Sequence, residues 1–183
     1  MKKTDLSKFS NKEYKPGSFL KRLLWLITDY ILMQNLLFFS SSLRLRVLTL
    51  FGAKLGKNIN LKPGVQIKYP WFLEIGDNTW VGENVWIDNL EKIQIGSSVC
   101  ISQGAYLLTG NHNYKKSCFD LILGAIIIED GVWIGAKSTV CPNVTCKSHS
   151  ILTVGSIATK TLEAYSIYQG NPAVFIRQRD LIG

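Results

Sequence analysis

Histidine, cysteine and acidic side chains are all scarce in this chain, and each shortage narrows what it can be. Only His112 and His149 occur among 183 residues, too few for a metal centre built on three imidazoles. The four cysteines, Cys100, Cys118, Cys141 and Cys146, form no CxxC pair and are too sparse for a secreted disulfide scaffold. That pattern predicts a reducing, cytoplasmic compartment. Cys146 and His149 lie close in sequence but have no second ligand pair beside them, so packing is preferred to a metal site and no metal is expected. No cleavable leader is expected, because the first apolar run starts only at Phe19 and no small-residue cleavage site follows it. A clean membrane span is missing too: the run from Leu23 to Phe39 is marginal in length and carries Asp29, Gln34 and Asn35.

The acid shortage is local. Residues 1–62 hold twelve Lys or Arg against Asp5, Glu13 and Asp29, a net of +9, whereas residues 63–183 hold nine basic and ten acidic residues, a net of −1. The two parts therefore have different roles. A basic front end raises nucleic acid or an anionic membrane as partner. Nucleic acid is set aside, because no aromatic-lined or groove-fitting module accompanies the charges.

What is present begins with "FLKRLLWLITDYILMQNLLFF", Phe19 to Phe39. Lys21, Arg22, Thr28, Asp29 and Asn35 share one side at helical spacing, while Leu20, Leu23, Leu24, Ile27 and Ile31 cover the rest, predicting an amphipathic helix with a wide apolar face. "SSSLRLRVLTLFGAKLG" predicts a second short helix, capped by Ser42 or a neighbour and ended by Gly52 or Gly56. This basic segment, residues 1–52, is expected to cover one end of the main domain. Its cations also suit the anionic cytoplasmic leaflet, each contributing about 1 kcal/mol near that surface. The two roles are compatible.

From Leu55 an aliphatic residue opens successive six-residue units: Leu55, Leu61 and Ile67, then Ile75, Val81 and Ile87, then Ile95, Ile101 and Leu107. After a gap the series resumes with Ile128, Ile134, Val140, Cys146 and Leu152. A period of six fits neither an amphipathic helix nor a simple hairpin sheet. It fits an all-β solenoid, in which each unit supplies a short strand and a turn, and three units close a triangular coil around stacked aliphatics. Turns such as "GKN", "GDN" and "GEN" supply residues that tolerate tight bends. The openings Leu55, Ile75 and Ile95 add two residues per coil at one corner, and about five coils are expected over residues 53–163, with residues 164–183 as a tail.

The interruption carries the function. "TGNHNYKKSCFDLILGA", residues 109–125, must bulge outward as a loop, because a stacked coil cannot absorb it without losing core contacts. His112 stands at its entry, tied to a strand end, where an imidazole suits general-base work at neutral pH. His149 falls in a turn of a regular unit and is expected to be structural. Which carboxylate orients His112 stays open between Glu83, Asp88 and Asp120.

The hexad array, the "TGNHNY" loop, "IIIEDGVWIGAKSTVCPNVT" and the ending "GSIATKTLEAYSIYQGNPAVFIRQR" resemble the left-handed β-helix acyltransferases of the hexapeptide-repeat superfamily, over about residues 53–179. Within it, "LSKFS" and "FGAKLGKNINLKPGVQIKYPW" make the whole chain look like the sugar O-acetyltransferases of the colanic-acid-biosynthesis type, relatives of galactoside and maltose acetyltransferases. The resemblance implies a left-handed parallel β-helix, a homotrimer with active sites between prisms, acetyl-CoA as donor and a sugar hydroxyl as acceptor, and the basic front end favours a lipid-linked glycan as the form that carries it. By motif match His112 is the base. Ala136, Val154, Thr159, Lys160 and Arg177 match positions that hold CoA, and Trp133 matches an active-site aromatic. Gly82 stands where galactoside-type enzymes carry an acceptor-holding asparagine, with Asn84 or Asp88 as substitutes, and Val174 replaces one of two C-terminal arginines. An N-acetyltransferase acting on an amino sugar and a non-catalytic β-helix scaffold are the alternatives. A gamma-class carbonic anhydrase shares this fold but needs three histidines per zinc site.

Overall fold

The computed structural model describes residues 3–34 and 40–182. Its body is a left-handed parallel β-helix with three sheets, matching the hexad reading. The first sheet stacks Lys54–Leu55, Leu73–Ile75, Ile93–Ile95, Ile126–Ile128 and Thr145–Cys146. The second stacks Asn60–Leu61, Trp80–Val81, Cys100–Ile101, Trp133–Ile134 and Ile151–Leu152, and the third Gln66–Ile67, Trp86–Asp88, Tyr106–Leu108, Thr139–Val140 and Ile157–Ala158. Five coils are complete, and a bridge from Leu162 to Cys146 starts a sixth. The unit-opening residues from Leu61 to Leu152 are buried in one continuous core. Strands this short survive because each buries one large side chain and pairs with strands above and below.

Register locates the insertions. Paired residues step from 54 to 74 and from 74 to 94, then from 94 to 127, then from 127 to 145. The other two sheets step in parallel, so every extra residue enters at one corner, between the third sheet and the first. That corner is spanned by residues 89–92 in the second coil and by 109–125 in the third. The expected loop is a β-hairpin: Gly110–His112 pairs antiparallel with Leu121–Leu123.

Two helices precede the prism. Helix α1, Phe19–Thr28, is capped by Ser18 and continues into a π-helical turn, Asp29–Met33, closed by a Gln34 N–H to Asp29 C=O bond of 3.1 Å. The remainder of the expected helix, residues 35–39, lies outside the described residues. Helix α2, Ser41–Leu50, is capped by Ser40 and ends before Gly52, whose φ of +102° closes the turn. Arg44, buried beneath α2, reaches the Leu61 carbonyl at 3.5 Å, and Ser41 Oγ accepts from the Leu61 N–H at 3.1 Å, so α2 covers the open end of the first coil. Helix α1 packs through its narrower side: Trp25, Asp29 and Met33 are buried, while the aliphatic stripe faces out. The Trp25 indole N–H donates to the Ile67 carbonyl at 2.8 Å and fixes that pose. Among the described residues, no helix is long and apolar enough to cross a membrane.

The C-terminal tail adds two strands to the prism. Ser166–Gly170 joins the second sheet beside Ile151–Leu152, and Ala173–Gln178 turns back antiparallel along it.

Candidate active site

Position 112 is built by the widened corner. Thr109, wholly buried, anchors the start of the hairpin by donating from its hydroxyl to the Asp88 carbonyl at 2.7 Å. Three residues on, the half-buried His112 places Nδ1 2.9 Å from the carbonyl oxygen of Phe119, across the hairpin. Its ring stacks on that of Phe119 with centroids 4.5 Å apart and planes 10° apart, and the Phe9 ring lies tilted against it at 5.8 Å. A carbonyl can only accept, so Nδ1 carries the proton and Nε2 holds the lone pair. None of the three carboxylates left open by the sequence takes this role. The Asp120 carboxylate binds Lys116 at 3.0 Å, Asp88 accepts from the Tyr106 hydroxyl at 3.2 Å, and Glu83 is exposed at another corner. The Cys118 thiol, then Lys116, hold the Asp120 carboxyl below its ordinary range.

The first residues of the chain close over this hairpin. The Asp5 N–H donates to the Ser117 carbonyl at 2.8 Å, the Tyr14 hydroxyl donates to the Leu90 carbonyl at 2.7 Å, and the Trp71 indole donates to the Pro16 carbonyl at 2.9 Å. Between this strap and the hairpin lies a groove of about 960 Å³ that reaches Tyr14, Glu91, Asn113 and Asp120.

The remaining candidates are spread over the prism. Asp88 ends the third-sheet strand one coil before the hairpin, paired with Leu108. Trp86 on the same strand stacks on Tyr106 at 4.7 Å, and burial first, then the Asp88 charge, pushes the Tyr106 hydroxyl up to about 12. The sequence reading did not single out this Trp86–Tyr106–Asp88 cluster. Its available signal was an aromatic at the outward position just before an inward aliphatic. Asn84 stands at the opposite end of that strand from the hairpin corner, in the left-handed region at φ +56°, with its side chain where a Cβ on Gly64 would fall. That is a turn role. Trp133 lies on the second sheet, half exposed, its indole donating to Ser102 Oγ at 2.9 Å.

Ala136 and Val154 occupy the corner between the second and third sheets, where the Ala136 carbonyl accepts from the Gly155 N–H at 2.9 Å. Thr159 and Lys160 follow the last third-sheet strand, and Arg177 lies on the returning tail strand opposite Ile167. Val154, Thr159, Lys160 and Arg177 are all exposed. Within one chain, then, His112 leaves the third coil while the positions matched to CoA gather on the last two coils and the tail. Trp133 and His112 lie on different sides of the prism. His149 is the turn residue expected of it, at φ +60°, stacked on Tyr165 at 4.8 Å with its ring over Gly131. Cys146 is wholly buried in the core, and no group of three metal-ligating side chains forms among the described residues.

A left-handed parallel β-helix is the fold of hexapeptide-repeat acetyltransferases. The chain is similar in fold to a hexapeptide-repeat-containing acetyltransferase of Vibrio cholerae, with a TM-score of 0.80 at 23% identity over 88% of this chain and 92% of the other. It is equally similar to a maltose O-acetyltransferase of Clostridium difficile 630, with a TM-score of 0.80 at 22% identity over 88% of each chain. In sequence it is 37% identical, over 96% of its length and 97% of the other, to the Escherichia coli K12 protein named "Putative colanic acid biosynthesis acetyltransferase WcaF". The chain belongs to that acetyltransferase family. No family model matches it.

Proposed function

We propose that this protein transfers an acetyl group from acetyl-CoA to a hydroxyl of a sugar in surface-polysaccharide biosynthesis, with His112 as general base. The carrying observation is the 2.9 Å contact of His112 Nδ1 with the Phe119 carbonyl, which leaves Nε2 basic. Acetyl-CoA supplies an activated thioester. A sugar hydroxyl is a weak nucleophile at neutral pH, so Nε2 takes its proton as the oxygen attacks the acetyl carbonyl. The Phe119 carbonyl then faces a charged imidazolium, and their hydrogen bond strengthens at the moment the charge forms. Nε2 returns the proton to the departing sulfur, and the base is regenerated.

The residues present suit this donor. Exposed Lys160 and Arg177, unpaired among the described residues, offer cations to phosphates, and the small Ala136 leaves backbone open at its corner. The hairpin coil and the last coil are two coil spacings apart, about 10 Å, which suits an extended donor with phosphates at one end and the thioester at the other. The separation of His112 from Trp133 supports a homotrimer in which neighbouring prisms complete each site. His112→Ala should lower acceptor-dependent CoA release at least about 100-fold, the usual scale for losing a general base. Near-normal turnover by that variant would remove His112 from the chemistry. Faster turnover with amino sugars than with their hydroxyl counterparts would move the reaction to nitrogen.

A further inference from the structure

We propose that the outward face of α1 seats in the head-group and acyl boundary of an anionic lipid leaflet, anchoring the protein peripherally. Leu20, Leu23, Leu24, Ile27 and Ile31 are each 39–63% exposed. Phe19, Leu26 and Tyr30 extend the same stripe, exposed by 64–75%. At 100° per residue Phe19, Leu20, Leu23, Leu24, Leu26 and Ile27 of α1 fill an arc of about 160° with no charged side chain in it. The other arc holds Lys21, Arg22, Trp25, Thr28, Asp29 and Met33, and it is this side that packs on the prism. A helix that only covered the end of a soluble domain would be turned the other way.

The patch continues onto α2. Leu50, 84% exposed, meets Leu20 and Leu24 in a notch of about 340 Å³ that Lys21 borders. Leu43 and Leu50 flank exposed Arg46 at helical spacing, one turn to either side. Cations thus rim an apolar surface, the pattern of an in-plane interfacial helix on anionic lipid. A second copy of the chain is a poorer occupant, because joining two of these faces would bring two segments of net charge +9 together. The reading does not depend on acetyl transfer.

Flotation of the full-length protein with vesicles of phosphatidylcholine alone, or mixed with phosphatidylglycerol, tests this directly. Wild type should float with the mixed vesicles at least about tenfold more than with the neutral ones, and less at high salt. Leu23→Asp combined with Ile27→Asp should lower that binding at least about tenfold with circular dichroism and sedimentation unchanged, since both side chains already face solvent. Tyr30→Trp should add a fluorescence component that brominated acyl chains quench, which reads insertion without altering charge. Failure of wild type to float with either vesicle, or equal flotation of the double variant, would overturn the proposal. So would a smaller sedimenting species for the double variant, because the face would then join copies of the chain.

Discussion

At position 119 a bulky side chain sits at φ +55°, a region that non-glycine residues seldom enter. That backbone turn aims the Phe119 carbonyl at His112 while the ring stacks beneath the imidazole, so one residue both fixes the tautomer and holds the plane. The two contributions separate by substitution. Phe119→Gly and Phe119→Ala both remove the ring, but only alanine keeps the strain of about 1–2 kcal/mol carried by an L-residue in that region. The glycine variant should therefore retain more kcat than the alanine variant, measured as CoA release at saturating acceptor. The reverse order would show that the backbone turn does not matter to His112. No sequence pattern gives this contact away: the orienting group is a main-chain carbonyl, and a phenylalanine in the left-handed region has no compositional signature. Carboxylates were the only candidates a list of side chains could supply.

Asp29 is the second residue whose setting decides a measurable property. It is 7% exposed, Gln34 donates to one of its oxygens at 2.6 Å, and the other oxygen has no partner among the described residues. Burial pushes its carboxyl up to about 6. The folded chain therefore holds this proton to a higher pH than the unfolded chain does. The contribution of Asp29 to stability is greatest below the ordinary aspartate range, near 4, falls as pH rises towards 6, and stays reduced above it; a shift of about two units corresponds to about 3 kcal/mol. Asp29→Asn, whose amide oxygen can still accept from Gln34, should be more stable than wild type at pH 8 by about 1–3 kcal/mol and nearly equal to it at pH 4. Urea unfolding at the two pH values checks both the size and the sign.

At the scale of elements, the strands were legible because burial imposes the pattern. An aliphatic that must point inward from every short strand cannot drift without opening the core, so Ile75, Val81 and Ile87 declare their coil, and the missing beat after Leu107 declares the insertion. The orientation of α1 was not legible. A helical stripe states that two faces differ, and says nothing about which one meets the protein. Nor did the beat show that the insertion is a hairpin, whose pairing of Asn111 with Ile122 has neither a two-residue turn signal nor a clean alternation. The insertion is nonetheless a separable element. The preceding coil rounds the same corner with Asn89, Leu90, Glu91 and Lys92, so a variant carrying those four residues in place of 109–125 should keep its coils stacked. Its far-ultraviolet circular dichroism should stay close to wild type while acetyl transfer falls to background. Collapse of the whole fold would mean that the hairpin is part of the prism's core.

Over the whole molecule, the candidate site residues divide between places that one chain does not bring together. His112 projects from the hairpin corner of the third coil, whereas Trp133 stands on the second sheet with its indole fixed to Ser102. If neighbouring prisms of the proposed trimer close the site, each His112 works with the Trp133 of another copy. Two inactive variants should then rescue each other. His112→Ala and Trp133→Ala would each be nearly inactive as pure proteins, yet trimers assembled from an equal mixture must contain clefts in which a His112 from one parent meets a Trp133 from the other. Random assembly makes such clefts about one quarter of the total, so co-expression should restore about a quarter of wild-type turnover per site. Mixing the finished proteins without subunit exchange should restore none. Full independence of the two variants, with no activity regained on co-expression, would place both residues in the same chain's site or in none.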